Sequence, residues 1–405
     1  MIGALSPWRS ARPASTVSQT WQEHLRHTGV PGGAYAVVTS QGTRERTASG
    51  VDGNGRPWTE RTPTLWGSIS KPIAASVADA AISRGELRVT DPITEHLSLA
   101  DCSAAQRVTV ADLVHHTSGV GAALTALDRG STRDATQVVH DNARDLCPTT
   151  DPGTYRYSSA NYLALAAVLE SATGRTVPEL LRSHLGPTGA TGLVTGTDAA
   201  EAMPAGHRVV AGQPVASATP YDESGLAYGY LGGSLTDLED VARGFLGAAP
   251  ALGSPTSDAG VATGSPDRYG AGWRIRDLPD GSHLAWHSGM VPGYVTTMML
   301  WPERDLALVT LQNASGVGQA ESLLAGPIRL ATGLVPETTL TAQDASPLYP
   351  GGLALLGGLA VLTWAAALLR PSGSRLALLG WIAAAVSVLA LVATHLGTGS
   401  VRGIP

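Results

Sequence analysis

Apolar residues follow two different periods over the first fifty positions. Val17, Trp21 and Leu25 stand at i, i+4 and i+8, which predicts an amphipathic helix over about residues 15–28. Gly29 and Pro31 stop it. Next, Ala34-Tyr-Ala-Val-Val-Thr39, a Gln41-Gly42 turn and a more polar extended stretch predict a hairpin. The pattern then turns helical through much of 70–250. Strand patterns return with Gly272–Arg276, His283–His287, Tyr294–Trp301 and Leu306–Leu311, separated by the turns Pro279-Asp-Gly281 and Pro302-Glu-Arg304. A last helix is expected over about 316–333. No fixed-period repeat is present, so solenoids and propellers drop out. Strands at both ends with helices between them predict an α+β fold. One antiparallel sheet is built from both ends of the domain, with flanking helices and an inserted helical lobe.

The hydrophobic pattern changes again beyond a polar linker at 336–350. The stretches 351–369 and 376–396 are uncharged runs of 19 and 21 residues, each long enough to cross a hydrocarbon core about 30 Å thick as a helix. Arg370 and Arg375 bracket the short loop between them. The positive-inside tendency puts that loop in the cytoplasm, and hence a domain over 15–335 and a tail over 397–405 outside. Residues 1–14 form a separate N-terminal segment. Its opening Met1–Leu5, followed by Pro7, Arg9 and Arg12, is too short to read as a secretory leader.

Composition narrows the function. Charged residues make up 15% of the 405, against about 25% in soluble domains, and the two apolar runs contribute to the deficit. The net charge of −6 and the lack of any basic run exclude the electrostatic footprint of a nucleic-acid binder. Cys102 and Cys147 allow one disulfide but do not decide compartment.

Lys71 is the single lysine among the 27 basic residues. Arginine stays protonated in proteins, whereas burial and neighbouring charge can push a lysine amine toward neutrality, so only lysine can serve as a base. Ser68 precedes it by three residues, and Ile73, Val77 and Ala80 indicate a helix beginning here. Hydroxyl and amine then share a face, as a nucleophile and its base require. Ser70 would point elsewhere. A helix N-terminus at Ser68 would also direct free N–H groups at charge developing on an acyl oxygen.

Two further pieces follow in order. Tyr155-Arg-Tyr-Ser-Ser-Ala-Asn-Tyr162 leads into a helical run, and His287-Ser-Gly289 ends a strand pattern. The ordered set Ser68-x-x-Lys71, Tyr157-Ser-Ser159 and His287-x-Gly289 resembles the serine β-lactamase and penicillin-binding-protein superfamily, most closely its class C-like group with esterases and D-aminopeptidases. Val108–Gly119, Tyr157–Glu170 and Tyr269-Gly-Ala-Gly-Trp273 are similar too, so the resemblance spans about 15–333. It implies that Ser68 becomes acylated, that Lys71 helps deprotonate it, and that Tyr157 shuttles the proton to the leaving group. That shuttle calls for a phenol whose pKa a nearby cation lowers. Main-chain N–H groups of Ser68 and Met290 would form the oxyanion hole, with His287 and Gly289 shaping the strand edge beside the substrate. No metal or organic cofactor is implied.

Two departures bear on substrate. Ser159 stands where the motif usually has asparagine, which loosens the grip on an acylamino group. His287 replaces a lysine, weakening the fixed positive charge for a carboxylate. Esters, D-amino-acid amides or peptides are therefore the expected substrates, with slow β-lactam acylation as a side activity. The rival expectation, resting on Ser159, is a non-catalytic membrane-anchored binding or scaffold protein. Among the remaining candidates, His115 and His116 read as helix-end and turn residues, since adjacent histidines on a helix point apart. Thr236-Asp-Leu-Glu239 reads as a capping box, and Trp273 and Trp286 as core.

Overall fold

The computed structural model describes residues 16–341 except 100–101, 122–126, 128–129, 211, 249–251, 257 and 317–318. The two apolar runs at 351–369 and 376–396, residues 1–14, the linker beyond 341 and the tail lie outside the described residues. Among the described residues no helix is long and apolar enough to cross a membrane.

Eight strands form the main sheet. They are β1 (Gly32–Thr39), β2 (Gly42–Gly50), β3 (Val261–Ala262), β4 (Arg268–Gly270), β5 (Trp273–Asp277), β6 (His283–Val291), β7 (Tyr294–Trp301) and β8 (Leu306–Gln312). Their order is β2-β1-β8-β7-β6-β5-β4-β3, antiparallel throughout. The N-terminal hairpin joins the C-terminal strands directly, with register Gly33↔Gln312 to Val38↔Ala307. Asn313 reinforces the seam, accepting from the Gly32 N–H at 2.8 Å and donating to the Val51 carbonyl at 2.7 Å.

Both faces of this sheet are covered, which explains why β1, β7 and β8 are apolar at nearly every position while the edge strand β2 is polar and partly exposed. Tyr35 and Val37 point to one face, where Trp21 and Leu25 of α1 (Thr16–Thr28) meet Leu323, Leu324 and Ile328 of the last helix. Ala34, Ala36 and Val38 point to the other, against the helical lobe. The lobe is built on α2 (Ser70–Ser83), α3 (Ser159–Thr173) and α4 (Leu235–Phe245), and the last helix is α5 (Ala320–Leu334). In α3 every residue from Ala160 to Leu169 is buried, so it serves as the axis of the lobe. Ser158 caps it, accepting from the Ala160 N–H, and Gly174 ends it at φ 66°.

The sequence reading needs two corrections. A hairpin, Gly206–Val210 with Gln213–Ser217, interrupts the helical stretch and pairs with Ala314–Ser315. The cap of α4 is Ser234 with Asp237, not Thr236 with Glu239. Glu239 is engaged elsewhere, accepting from Thr43 and pairing with Arg46 of β2 at 3.3 Å.

Cys102 and Cys147 form a disulfide with Cα atoms 5.7 Å apart. It closes a loop with a sequence separation of 45 and ties together the segments that lead into His116 and Tyr157. Replacing both cysteines by serine is expected to lower unfolding free energy by about 2–4 kcal/mol, through greater freedom of the unfolded chain. The urea midpoint measures this; an unchanged midpoint would show that other contacts fix the two segments.

Candidate active site

Ser68 sits in a single 3₁₀ turn, Gly67–Ile69, one step before α2. The turn is pinned from both sides. Trp66 donates through its main chain to Leu231 at 2.9 Å and through its indole N–H to the Gly233 carbonyl at 3.1 Å. Opposite lies the end of β6, so close that a Cβ on Gly289 would stand 2.0 Å from the Trp66 carbonyl oxygen and 2.8 Å from the Ser68 nitrogen. A Cβ on Gly67, itself at φ +56°, would stand 2.5 Å from the Met290 nitrogen. Two glycines 222 positions apart in sequence thus let two main chains touch. Their contact sets the Ser68 and Met290 amides side by side.

Lys71 and Tyr157 converge on Ser68 Oγ. The Lys71 Nζ donates to it at 3.0 Å and the Tyr157 hydroxyl at 2.9 Å. Helical spacing carries the amine back over the serine, as the three-residue offset requires. Lys71 is fully buried and also donates to Ser159 Oγ at 3.2 Å and to the Tyr228 carbonyl at 2.8 Å. That carbonyl comes from a π-helical turn, Leu226–Tyr230, an irregularity frequent at functional sites. Its Nζ lies 4.9 Å from the centre of the Tyr157 ring. Ser70, by contrast, turns back on the Gly67 carbonyl at 2.8 Å.

Tyr157 departs from the expectation of a lowered pKa. Burial raises it well above the ordinary tyrosine value, outweighing the Ser68 hydrogen bond and the nearby Arg274 guanidinium, which lower it. The resting phenol is neutral and works as a donor.

His287 is buried and held well below its ordinary value, first by burial and then by Arg274 and Lys71. Its neutral ring donates from Nδ1 to the Ser288 carbonyl at 2.7 Å, leaving Nε2 to accept from the Tyr269 hydroxyl at 3.5 Å. Tyr269 is in turn met at 3.2 Å by Nε2 of His116. His116, also kept neutral chiefly by burial, accepts at Nδ1 from the Ser158 N–H at 3.3 Å and the Asn161 amide at 3.0 Å. Each tautomer follows from its neighbour, so one chain of hydrogen bonds runs from the tyrosine motif to the strand that carries Gly289. The structure therefore brings together Ser68, Lys71, Tyr157, Ser159, His287, Gly289 and Met290.

The sequence reading missed three contributors. His116 is not a plain turn residue: at φ 59° it folds inward, 4.4 Å from the Tyr157 ring between centroids. Tyr269 stood out only as part of a glycine-rich stretch. Tyr228 contributes a carbonyl, which no side-chain pattern reports. Trp273 and Trp286 are core, as expected.

The beta-lactamase family model matches residues 17–332. Penicillin-binding protein 4 of Amycolatopsis lactamdurans is 31% identical over 175 residues, covering 41% of this chain and 45% of that protein. Esterase EstB of Burkholderia gladioli is 32% identical over 215 residues, covering 47% and 50%. The chain spans about half the length of these curated relatives. In fold it is similar to the D-amino acid amidase of Ochrobactrum anthropi SV3, solved with L-phenylalanine amide, at TM-score 0.65 and 21% identity, over 79% of this chain and 99% of that one.

The buried histidines set an acid limit on stability. His184, packed on α2 with its Nε2 3.0 Å from Ser76 Oγ, is pushed down from 6.5 to about 4, first by burial and then by Arg84. Its ring is neutral in the fold but binds a proton in the unfolded chain below 6.5. Its contribution is thus complete above that pH and lost as pH falls toward 4. His116 and His287 act in the same direction. Unfolding free energy is expected to fall on acidification, by up to about 3 kcal/mol from His184 alone. Urea midpoints at about pH 7.5 and about pH 5 measure it; equal midpoints would mean that these rings are charged in the fold.

Proposed function

The chain belongs to the beta-lactamase family, and from that premise we propose that it is a serine hydrolase working through an acyl-enzyme on Ser68. The observation that carries this reading is the convergence of Lys71 Nζ and Tyr157 Oη on one hydroxyl oxygen, at 3.0 and 2.9 Å. Burial holds Tyr157 in the neutral form, so the amine of Lys71 is the group that takes the Ser68 proton as Oγ attacks the acyl carbon. The oxyanion is met by the Ser68 and Met290 amides. Tyr157, hydrogen-bonded to Ser68, passes a proton to the leaving group and is replenished from Lys71. Water then enters by the reverse of these steps, frees the acid and restores the serine.

Esters and D-amino-acid amides or peptides are the proposed substrates, with slow β-lactam acylation beside them. Support comes from the esterase among the curated relatives and the amidase fold. Ser159 supports the same choice, because its short hydroxyl is engaged by Lys71. Where asparagine would offer an amide to an acylamino group, this site offers less.

Intact mass with peptide mapping after a serine-directed fluorophosphonate is expected to place one adduct on Ser68. Lys71→Arg is expected to abolish it, since arginine cannot accept the proton, and Tyr157→Phe to slow it by about 10²–10⁴-fold. Full labelling of Lys71→Arg would sink the mechanism. No adduct from folded wild-type protein would favour the non-catalytic binding protein.

The uncharged runs at 351–369 and 376–396 are proposed to tether the enzyme as a membrane hairpin, with Arg370 and Arg375 cytoplasmic and the hydrolase outside. Protease added to intact cells should then release the domain; release only after lysis would reverse the orientation.

A further inference from the structure

Asp91, Glu95 and His96 stand apart from the cluster around Ser68, in the turn that follows α2. One carboxylate oxygen of each acid and one ring nitrogen of His96 lie within 4.8 Å of one another. The backbone beneath them is fixed. The Ile93 N–H donates to the Val108 carbonyl at 2.9 Å and the Val110 N–H to the Asp91 carbonyl at 3.1 Å. Ile93 and Leu97 anchor the same turn in the core.

The imidazole is what separates this group from an ordinary acidic patch. Nε2 of His96 is shut off from solvent, yet no described residue offers it a hydrogen bond. It faces Oδ2 of Asp91 at 3.7 Å, too long for a hydrogen bond. That spacing is close to the separation of about 3.4 Å between two ligands that each stand about 2.0–2.2 Å from one tetrahedral zinc ion. Asp91 is buried, and Arg88 aims its carboxylate. The Arg88 main-chain N–H donates to Oδ2 at 2.8 Å and its Nε to Oδ1 at 2.7 Å. Oδ2 keeps a second lone pair, and supporting hydrogen bonds of this kind orient a ligating carboxylate. Glu95 is exposed, and among the described residues nothing engages its carboxylate by hydrogen bond or ion pair. It can therefore close over an ion arriving from solvent.

We propose that Asp91, Glu95 and His96 form a binding site for a divalent cation of the zinc class. One imidazole with two carboxylates suits such an ion, whereas calcium and magnesium favour larger shells made of oxygen. Three protein ligands leave a fourth position for water. The three residues take no part in the hydrogen bonds to Ser68, so the ion serves the fold. It stiffens the turn that holds Val108–Val110, and this segment runs on to His116 beside the Tyr157 ring. The proposal does not depend on the acyl-enzyme reading.

Calorimetric titration of the EDTA-treated full chain with zinc chloride, at about pH 7.5 so that free imidazole is neutral, is expected to show one equivalent bound. Glu95→Gln and His96→Gln should each weaken binding by about tenfold or more. His140→Gln, at an exposed histidine beside Asp141, should leave it unchanged. Zinc should also raise the urea midpoint of the wild type and leave that of His96→Gln where it was. No binding by the wild type would overturn the proposal, as would binding that survives Glu95→Gln and His96→Gln. Calcium binding as tightly as zinc, and equally to His96→Gln, would reveal an acidic patch only and would overturn it too. Should His96→Gln not fold, the exposed Glu95→Gln carries the comparison.

Discussion

The contact between the Trp66–Ser68 turn and the end of β6 is the constraint on which the site depends. Neither segment could approach the other if Gly67 or Gly289 carried a side chain, because a Cβ at either would overlap main-chain atoms. With the two backbones in contact, the rest follows from covalent geometry. The start of α2 fixes Lys71 behind Ser68, and the strand fixes the Met290 amide in front. Precision comes from two rigid elements touching rather than from a loop shaped around a substrate.

Around that contact the charges are arranged by burial. Two histidines and a tyrosine, groups that titrate readily in water, are each driven to the neutral form by the loss of solvent. Lys71 and Arg274 flank the Tyr157 ring, and of the two only the guanidinium carries a charge that does not titrate. A neutral phenol beside the Lys71 amine is placed to relay a proton, and the hydrogen-bonded chain through His116, Tyr269 and His287 keeps the donors and acceptors around it oriented.

Much of this was legible from side-chain identity and spacing. A lone lysine three residues after a serine, a tyrosine before a helical run and a His-x-Gly at a strand end carried the serine, the base and the strand edge. The sheet assembled from both termini was legible from where strand patterns stop and resume. What stayed hidden depends on the third dimension. The Tyr228 carbonyl belongs to the backbone and has no sequence mark. The inward fold of His116 requires a left-handed residue that the adjacent His115 gives no reason to expect. The raised pKa of Tyr157 depends on burial, where the sequence offered only the prospect of a cation. At α4 two overlapping capping patterns competed, and the tertiary engagement of Glu239 by Thr43 and Arg46 decided between them.

The seam between β1 and β8 also bears on how the chain is made. Residues 32–39, all buried, emerge from the ribosome first but find their inner neighbour only when 306–312 have been synthesised. At roughly 5–20 residues per second that interval lasts tens of seconds. Throughout it the hairpin exposes an apolar strand with one unpaired edge, a state open to mispairing. Closing the sheet is therefore a late, long-range event, and the polar edge strand β2 and the helical lobe between are what can keep the nascent chain soluble until it occurs.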